Sequence, residues 1–296
     1  MEIIANISKV RIDKYLQEHT DYSRSLIQKM IESEYILVNN KSTKANYLVK
    51  ENDIITIKDG FIQPTDIKPE QIDLDIIYED DDLIIINKPS GMVVHPGSGN
   101  YSSTLVNALM YHTNLNEFED EVRPGIVHRI DKDTSGLMIV AKNPKAHELL
   151  SEMFKNKEIK REYIALVIGE INPSSGNIDA PIGRDPHNRK KMTVTDINAK
   201  KAITHFHVLK RYNGYTLLKL NLETGRTHQI RVHLKYIGYP VYNDPVYTNG
   251  KCTDFGQFLH SHKINFIHPI TKKKMEFNCS LPKEFEDFLN TLEPLE

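Results

Sequence analysis

The chain has 296 residues, with 38 Lys+Arg against 40 Asp+Glu and two cysteines, a length that favours one or two domains around a sizeable core. No apolar run reaches the length of a membrane span, MEIIANISKV lacks the layout of a signal peptide, and two cysteines make neither a disulfide framework nor a metal cluster, so a cytosolic protein without a membrane partner is expected. Residues 151–275 carry 21 Lys+Arg against 10 Asp+Glu while 61–150 carry 7 against 15, the pattern of a chain that turns one positive face to a polyanion or, equally, of solvated surface lysines.

In chain order, RIDKYLQEH (11–19) places Ile12, Tyr15 and Leu16 at helical spacing, and SRSLIQKMIES opens on Ser23 as an N-cap before Leu26, Ile27, Met30 and Ile31. YILVNN and DIITI are β-branched runs, giving a helix–helix–strand–strand unit over residues 1–60. Residues 61–72, with Pro64 and Pro69, read as a linker. A larger domain follows over 73–296. DLDIIYEDDDLIIINKP gives two strands around an acidic turn at Asp80–Asp82, TLVNALMYH and AHELLSEMFKN read as helices, and REYIALVIG, AITHFHVLKRY, YTLLKLNLE and KINFIHP read as strands. In HQIRVH, alternation puts Gln229 and Arg231 on one strand face and Ile230 and Val232 on the other. Strands in runs with occasional helices predict an α+β domain with a mixed or antiparallel sheet.

The most unusual stretch is GIVHRIDKDTSGLMIVAKN (125–143), in which His128, Arg129, Asp131, Lys132 and Asp133 lie between two apolar runs that both look like core strands. HRIDKDTSGL resembles the signature of the RluA-type pseudouridine synthases. REYIALVIG resembles that family's Tyr-bearing strand, LETGRTHQIRVHLKYIGYPV its basic motif and GQFLHSHKINFIHP its closing motif. INKPSGMVVHPGSGNYSSTLVNALMYH resembles the RluD-like branch in particular. The first 60 residues resemble the small α/β RNA-binding domain of the ribosomal small-subunit protein four type that this branch carries. Glu34, Asn40, Asn52 and Asn243 stand where the family usually has turn glycines; Asn tolerates the left-handed region, and Glu34 leaves its turn in question.

The resemblance implies a pseudouridine synthase fold with a mixed, largely antiparallel central sheet. It also implies isomerisation of uridine in RNA, with no cofactor and no metal. The branch implies large-subunit ribosomal RNA, within a pre-ribosomal particle, as the partner of a monomeric enzyme. Asp131 matches the essential carboxylate, which acts as nucleophile at the sugar or as base on a sugar proton. Arg231 matches the basic partner whose fork can hold both carboxylate oxygens. Tyr163 matches the residue that stacks on the flipped base, and Leu259 the apolar position on the base's other side. Arg129 is expected to fill the space the base leaves, and His128 to orient the loop. Lys132 and Arg226 are expected to touch phosphate. Gly136 would allow close backbone approach. In the small domain, Arg11, Lys14, Arg24 and Lys29 are candidates for a second RNA-binding face.

Two other readings use the same residues. The i, i+2 pairs His205/His207 and His260/His262 could present metal ligands, as in a metal-dependent nuclease. A non-catalytic RNA-binding assembly protein would keep the fold, although the loss of Asp131 would be its sign, and Asp131 is present.

Overall fold

A computed structural model describes residues 1–61, 67–97, 100, 102–115, 118, 123–188 and 191–295. The chain divides into two compact units, Met1–Asp66 and Ile67–Glu296. Among the described residues no helix is long and apolar enough to cross a membrane.

The first unit contains β1 (Glu2–Ile4), α1 (Ile12–His19), α2 (Arg24–Glu32), β2 (Ile36–Val38), β3 (Lys41–Ser42) and β4 (Ile54–Ile57). Its strands form an antiparallel sheet in the order β1-β4-β2-β3. Ser23 caps α2 as expected, its side chain accepting the Leu26 N–H. Ile12, Tyr15 and Leu16 of α1 and Ile27, Met30 and Ile31 of α2 are buried against Ile36, Val38, Ile55 and Ile57. Full burial of each such side chain is worth about 1.5–3 kcal/mol. The short β1 and β3 escaped the sequence reading. Glu34 (φ 58°), Asn40 (φ 63°) and Asn52 (φ 70°) all occupy the left-handed region, so three turns keep a glycine-like backbone without glycine.

The expected linker is shorter than 61–72. Phe61 packs edge-on against Tyr35, while Ile67 is buried and the Glu70 N–H and Lys68 carbonyl bond Asn107. Its middle, 62–66, lies outside the described residues, as do 98–99 and 101 of the INKPSG…YH motif.

The second unit begins with β5 (Ile76–Glu79), β6 (Leu83–Lys88), α3 (Leu105–His112), β7 (Ser135–Ala141) and α4 (Pro144–Lys155). Then come β8 (Lys160–Ile168), β9 (Ser175–Asp179), β10 (Ile182–Arg184), β11 (Met192–Val194), β12 (Ile203–Tyr212) and β13 (Tyr215–Leu222). It ends with α5 (Gln229–Tyr236), β14 (Leu259–Ile267), β15 (Lys274–Asn278) and α6 (Lys283–Thr291). Nine strands form one sheet in the order β5-β6-β7-β14-β8-β13-β12-β9, with β15 beside β14. Among the described strands β7 and β14 make its one parallel pairing and every other is antiparallel, as expected for a mixed, largely antiparallel sheet.

β6 and β7 are buried on both faces, and their alternation sorts the core. Ile84, Ile86, Met138 and Val140 pack with Leu105 and Leu109 of α3. Leu83, Ile85, Leu137 and Ile139 pack with Ala146 and Leu150 of α4. Gly125–Val127, read as a core strand, is a turn joined to β7 by the single bridge Ile126–Val140; its Gly125 has φ 74°, which a strand would not accept. HQIRVH, read as a strand, is the first half of α5. Gln229 to Leu234 are all buried there, so a helix with no exposed face in its first turns lost the period that would have revealed it.

Candidate active site

The loop before β7 is held by its own backbone and by buried groups from three directions. The Asp131 carbonyl accepts the Thr134 N–H at 3.1 Å and closes a turn. Lys88, 1% exposed, donates to the carbonyls of Pro89, Met92 and Lys132 at 2.7, 2.9 and 2.9 Å. Burial pushes its ammonium down to about 7, opposed by Asp133 and Asp131; three carbonyls matched to three N–H groups favour the charged form further. Gln257 donates to Thr134 Oγ1 at 2.9 Å. Gly136 (φ 106°) pairs with Ser261 across the parallel junction, and a Cβ there would lie 2.6 Å from the Ser261 nitrogen. The close approach expected of this glycine is therefore real.

His128 accepts the Ile139 N–H through Nε2 at 2.9 Å. Burial, reinforced by Arg161, lowers its pKa to about 3. A neutral imidazole thus latches the loop to β7.

Asp131 and Arg231 meet as expected, Nη1 lying 2.8 Å from Oδ2. The fork, however, points elsewhere. Arg231 Nε and Nη2 donate to the two oxygens of Asp244 at 2.6 and 2.8 Å. Arg231 thus gives one N–H to Asp131 and its bidentate edge to Asp244, which corrects the expected two-oxygen grip on Asp131. The reason is topological. Asp244 is fully buried in the turn after Val241 and is itself fixed by the Val246 and Tyr247 N–H groups at 2.9 and 3.0 Å. The Arg231 guanidinium, 4% exposed, also lies 5.0 Å over the Tyr247 ring. Two carboxylates hold its pKa well above the usual arginine range against the opposing effect of burial. A permanently charged donor is therefore pinned from behind and presents one N–H to a carboxylate that is 17% exposed.

Asp131 opens into a cleft of about 500 Å³. Tyr163 on β8 and Leu259 on β14, each 4% exposed, line it. Arg129, Arg226, Lys155, Lys157 and Arg161 also line it, against Glu223 and Asp131. Part of the basic surplus of residues 151–275 thus lines the cleft. Arg129 is exposed there, and Arg226, also exposed, donates through Nε to the Lys201 carbonyl at 3.0 Å. Lys132 is not among the cleft's lining residues. It lines a smaller pocket of about 260 Å³ on the other flank of Asp131.

Sequence reasoning missed Asp244, Tyr247 and His228. Asp244 and Tyr247 lie in VYNDPVY, which was read as a turn, and Asn243 there has φ 59°. His228 opens HQIRVH, where the strand reading drew attention to Gln229–Val232.

Three of the four paired histidines contact protein groups. His205 Nε2 lies 2.7 Å from Glu223. His260 sits between Ser135 Oγ (2.9 Å) and Cys279 Sγ (3.1 Å), and His262 Nδ1 meets the Cys279 carbonyl at 2.7 Å. Among the described residues, one group has the spacing of metal ligands: Asp80, Asp82 and His268. There His268 Nδ1 accepts the Ile270 and Thr271 N–H groups, so Nε2 carries the proton and donates to Asp80 at 3.0 Å.

In the small unit, Asp13 is fully buried and collects Arg11 (Nη2 2.8 Å), Arg24 (Nε 3.0 Å) and Gln28 (2.7 Å). Burial raises its pKa, but these donors bring it down to about 2. Arg11 and Arg24 are thereby held together with 45% and 46% of their side chains exposed. Lys14 instead lies 4.0 Å from Glu18.

A loop carboxylate aimed by a buried arginine into a cation-rimmed cleft is a site suited to chemistry on a polyanion. The family model for RNA pseudouridylate synthase matches residues 82–236, and that for the S4 domain matches 10–55. The chain is 48% identical over 285 residues to the uncharacterized RNA pseudouridine synthase YlyB of Bacillus subtilis, covering 95% of this chain and 94% of that protein. It is 39% identical to ribosomal large subunit pseudouridine synthase D of Escherichia coli, covering 95% and 90%. Among solved structures, human RNA pseudouridylate synthase domain containing 1 superposes with a TM-score of 0.61 at 26% identity, over 76% of this chain and 90% of that one. The chain belongs to the RNA pseudouridine synthase family, enzymes that isomerise uridine to pseudouridine in RNA, and it carries an S4 domain at its N-terminal end.

Proposed function

We propose that this enzyme modifies large-subunit ribosomal RNA, taking a uridine flipped out of its stack into the cleft with Asp131 at its ribose. The observation that carries the reading is the Asp131 carboxylate, held 2.8 Å from a buried Arg231 at the end of a cleft lined by Tyr163 and Leu259. The substrate class follows from relatives named for the large ribosomal subunit.

In this reading Asp131 acts on the sugar, as nucleophile or as base, and Arg231 keeps it aimed. Tyr163 stacks on the uracil, whose flat face it can hold at any rotation, and Leu259 closes the other side. Arg129, at the mouth, occupies the place the base leaves. Unstacking costs a few kcal/mol, and phosphate contacts from Arg226, Lys155 and Lys157 offset part of it. Lys132, on the other flank, serves a neighbouring phosphate. Arg11 and Arg24, paired by Asp13, give the S4 unit its own phosphate-binding edge, and that unit adds affinity as a separate module in the cytoplasm, where the enzyme works as a monomer.

Base-resolution pseudouridine mapping of ribosomal RNA from cells with and without the gene tests the substrate. One or more large-subunit sites should disappear; an unchanged ribosomal RNA with sites lost elsewhere would refute it. Removing residues 1–66 should weaken binding to ribosomal RNA and flatten its salt dependence, and unchanged affinity would refute the module's role.

A further inference from the structure

His228 lines the cleft, and the reading above has no use for it. It is the N-cap of α5 yet makes no side-chain capping bond, and its backbone is left-handed at φ 57°. Histidine is one of the non-glycine residues that adopts this region more readily than most. The ring is fixed. Nδ1 lies 2.9 Å from the Tyr247 hydroxyl, and the two rings meet edge-to-face at 5.6 Å.

The other nitrogen faces Asp131, with Nε2 3.9 Å from Oδ1. That is too long for a hydrogen bond. The Tyr247 hydroxyl accepts the Met192 N–H at 2.9 Å, and its own proton has two acceptors, His228 Nδ1 at 2.9 Å and the Met192 carbonyl at 3.2 Å. Donation to Nδ1 is the shorter contact. It also leaves Nε2 protonated, which is the only neutral tautomer that does not set a lone pair against the carboxylate. Burial, with Arg231 close by, lowers the His228 pKa despite Asp131, so the ring is neutral near pH 7. An N–H donor and a carboxylate acceptor therefore face each other across a gap that one oxygen can bridge at about 2.8 Å from each. Both line the cleft. The bridging group must donate and accept at once, as a hydroxyl does.

We propose that His228 and Asp131 together read the 2′-hydroxyl of the target nucleotide, the hydroxyl donating to Asp131 Oδ1 and accepting from His228 Nε2–H. The inference rests on the reading that this cleft takes the target uridine. It assigns His228 as the residue that distinguishes ribose from deoxyribose at the modified position, since the 2′-hydroxyl is what separates RNA from DNA at a single site. It also gives Oδ1 a partner, while Oδ2 keeps Arg231.

The test uses two short synthetic RNAs spanning a mapped site, each with pseudouridine at the target so that no turnover intervenes. One carries the 2′-hydroxyl there and the other a 2′-deoxyribose. Affinities are measured for the full-length wild type, His228→Ala and His228→Asn, which tolerates the left-handed backbone and lacks the reach. Wild type should prefer the hydroxyl RNA by about 10–100-fold, as for a charge-assisted bond. Both variants should lose about 5–10-fold on the hydroxyl RNA and stay within about twofold of wild type on the deoxy RNA. Equal losses on both RNAs, or a wild type indifferent to the hydroxyl, would overturn the assignment. If Asp131→Asn still forms pseudouridine, the reading of the cleft itself falls, which is a separate outcome.

Discussion

Replacing Asp244 by Asn tests whether Arg231 is aimed from behind. Asp244 Oδ1 accepts from Arg231 Nη2, Val246 N and Tyr247 N, and Oδ2 accepts from Arg231 Nε. An asparagine can keep the first oxygen's three bonds. Its amide then faces Arg231 Nε, donor against donor, where the wild type has a 2.6 Å charge-assisted bond. The buried guanidinium, 4% exposed, also loses one of its two countercharges. Breaking one side of a buried ion pair costs about 3–5 kcal/mol; with Asp131 still in place, the lower end, about 3 kcal/mol, is expected. The guanidinium should then tilt away from the turn and release its 2.8 Å contact with Asp131. A misplacement of about 1 Å costs on the order of 100-fold in rate. Urea unfolding and single-turnover pseudouridine formation on one RNA fragment measure the two effects. An Asp244→Asn enzyme with wild-type stability and rate would refute the idea that Asp244 aims the site.

The small unit offers two further checks. Asp13 has a folded pKa of about 2, below the usual 3.8, so its contribution is complete above pH 3.8 and is lost as pH falls toward 2. That loss should amount to about 2 kcal/mol, read as faster amide exchange over residues 10–55 of the full chain, and Asp13→Asn should remove this acid dependence; an unaltered profile would mean that the Arg11–Asp13–Arg24 cluster contributes nothing. Glu34→Gly, relieving φ 58°, should stabilise the same segment by up to about 1 kcal/mol in that exchange assay, and a loss of protection would show that the Glu34 turn is not strained.

How far the sequence revealed this architecture depended on whether each element kept its period and its free face. α1 and α2 each bury one stripe, so Ile12, Tyr15 and Leu16, or Ile27, Met30 and Ile31, could be named from spacing. α5 has no exposed face through Leu234, and its Ile230 and Val232 alternate with polar residues that are equally buried; the β-branched alternation imitated a strand. The three-residue β10 and β11 are too short to show alternation, and β9 (SGNID) and β15 (KMEFN) each hold few apolar residues. α6 carries Phe285, Phe288 and Leu289 at helical spacing, a stripe the sequence reading passed over. At the site, Asp131, Tyr163, Arg231 and Leu259 were legible through the motifs that contain them. Asp244 was not, because an Asp before Pro reads as a turn former, and only the fold shows that its carboxylate backs an arginine 13 positions earlier.

The central claim is that Asp131 carries the chemistry, and Asp131→Asn tests it most directly. The side chain keeps its size, and the pairing of Arg231 with Asp244 remains to hold the loop's surroundings. RNA affinity should stay within about 10-fold of wild type, while single-turnover pseudouridine formation should fall below detection, a loss of at least about 10⁴-fold as expected when the acting group itself is removed. Pseudouridine formed by a clean Asp131→Asn preparation at a measurable single-turnover rate would contradict the account.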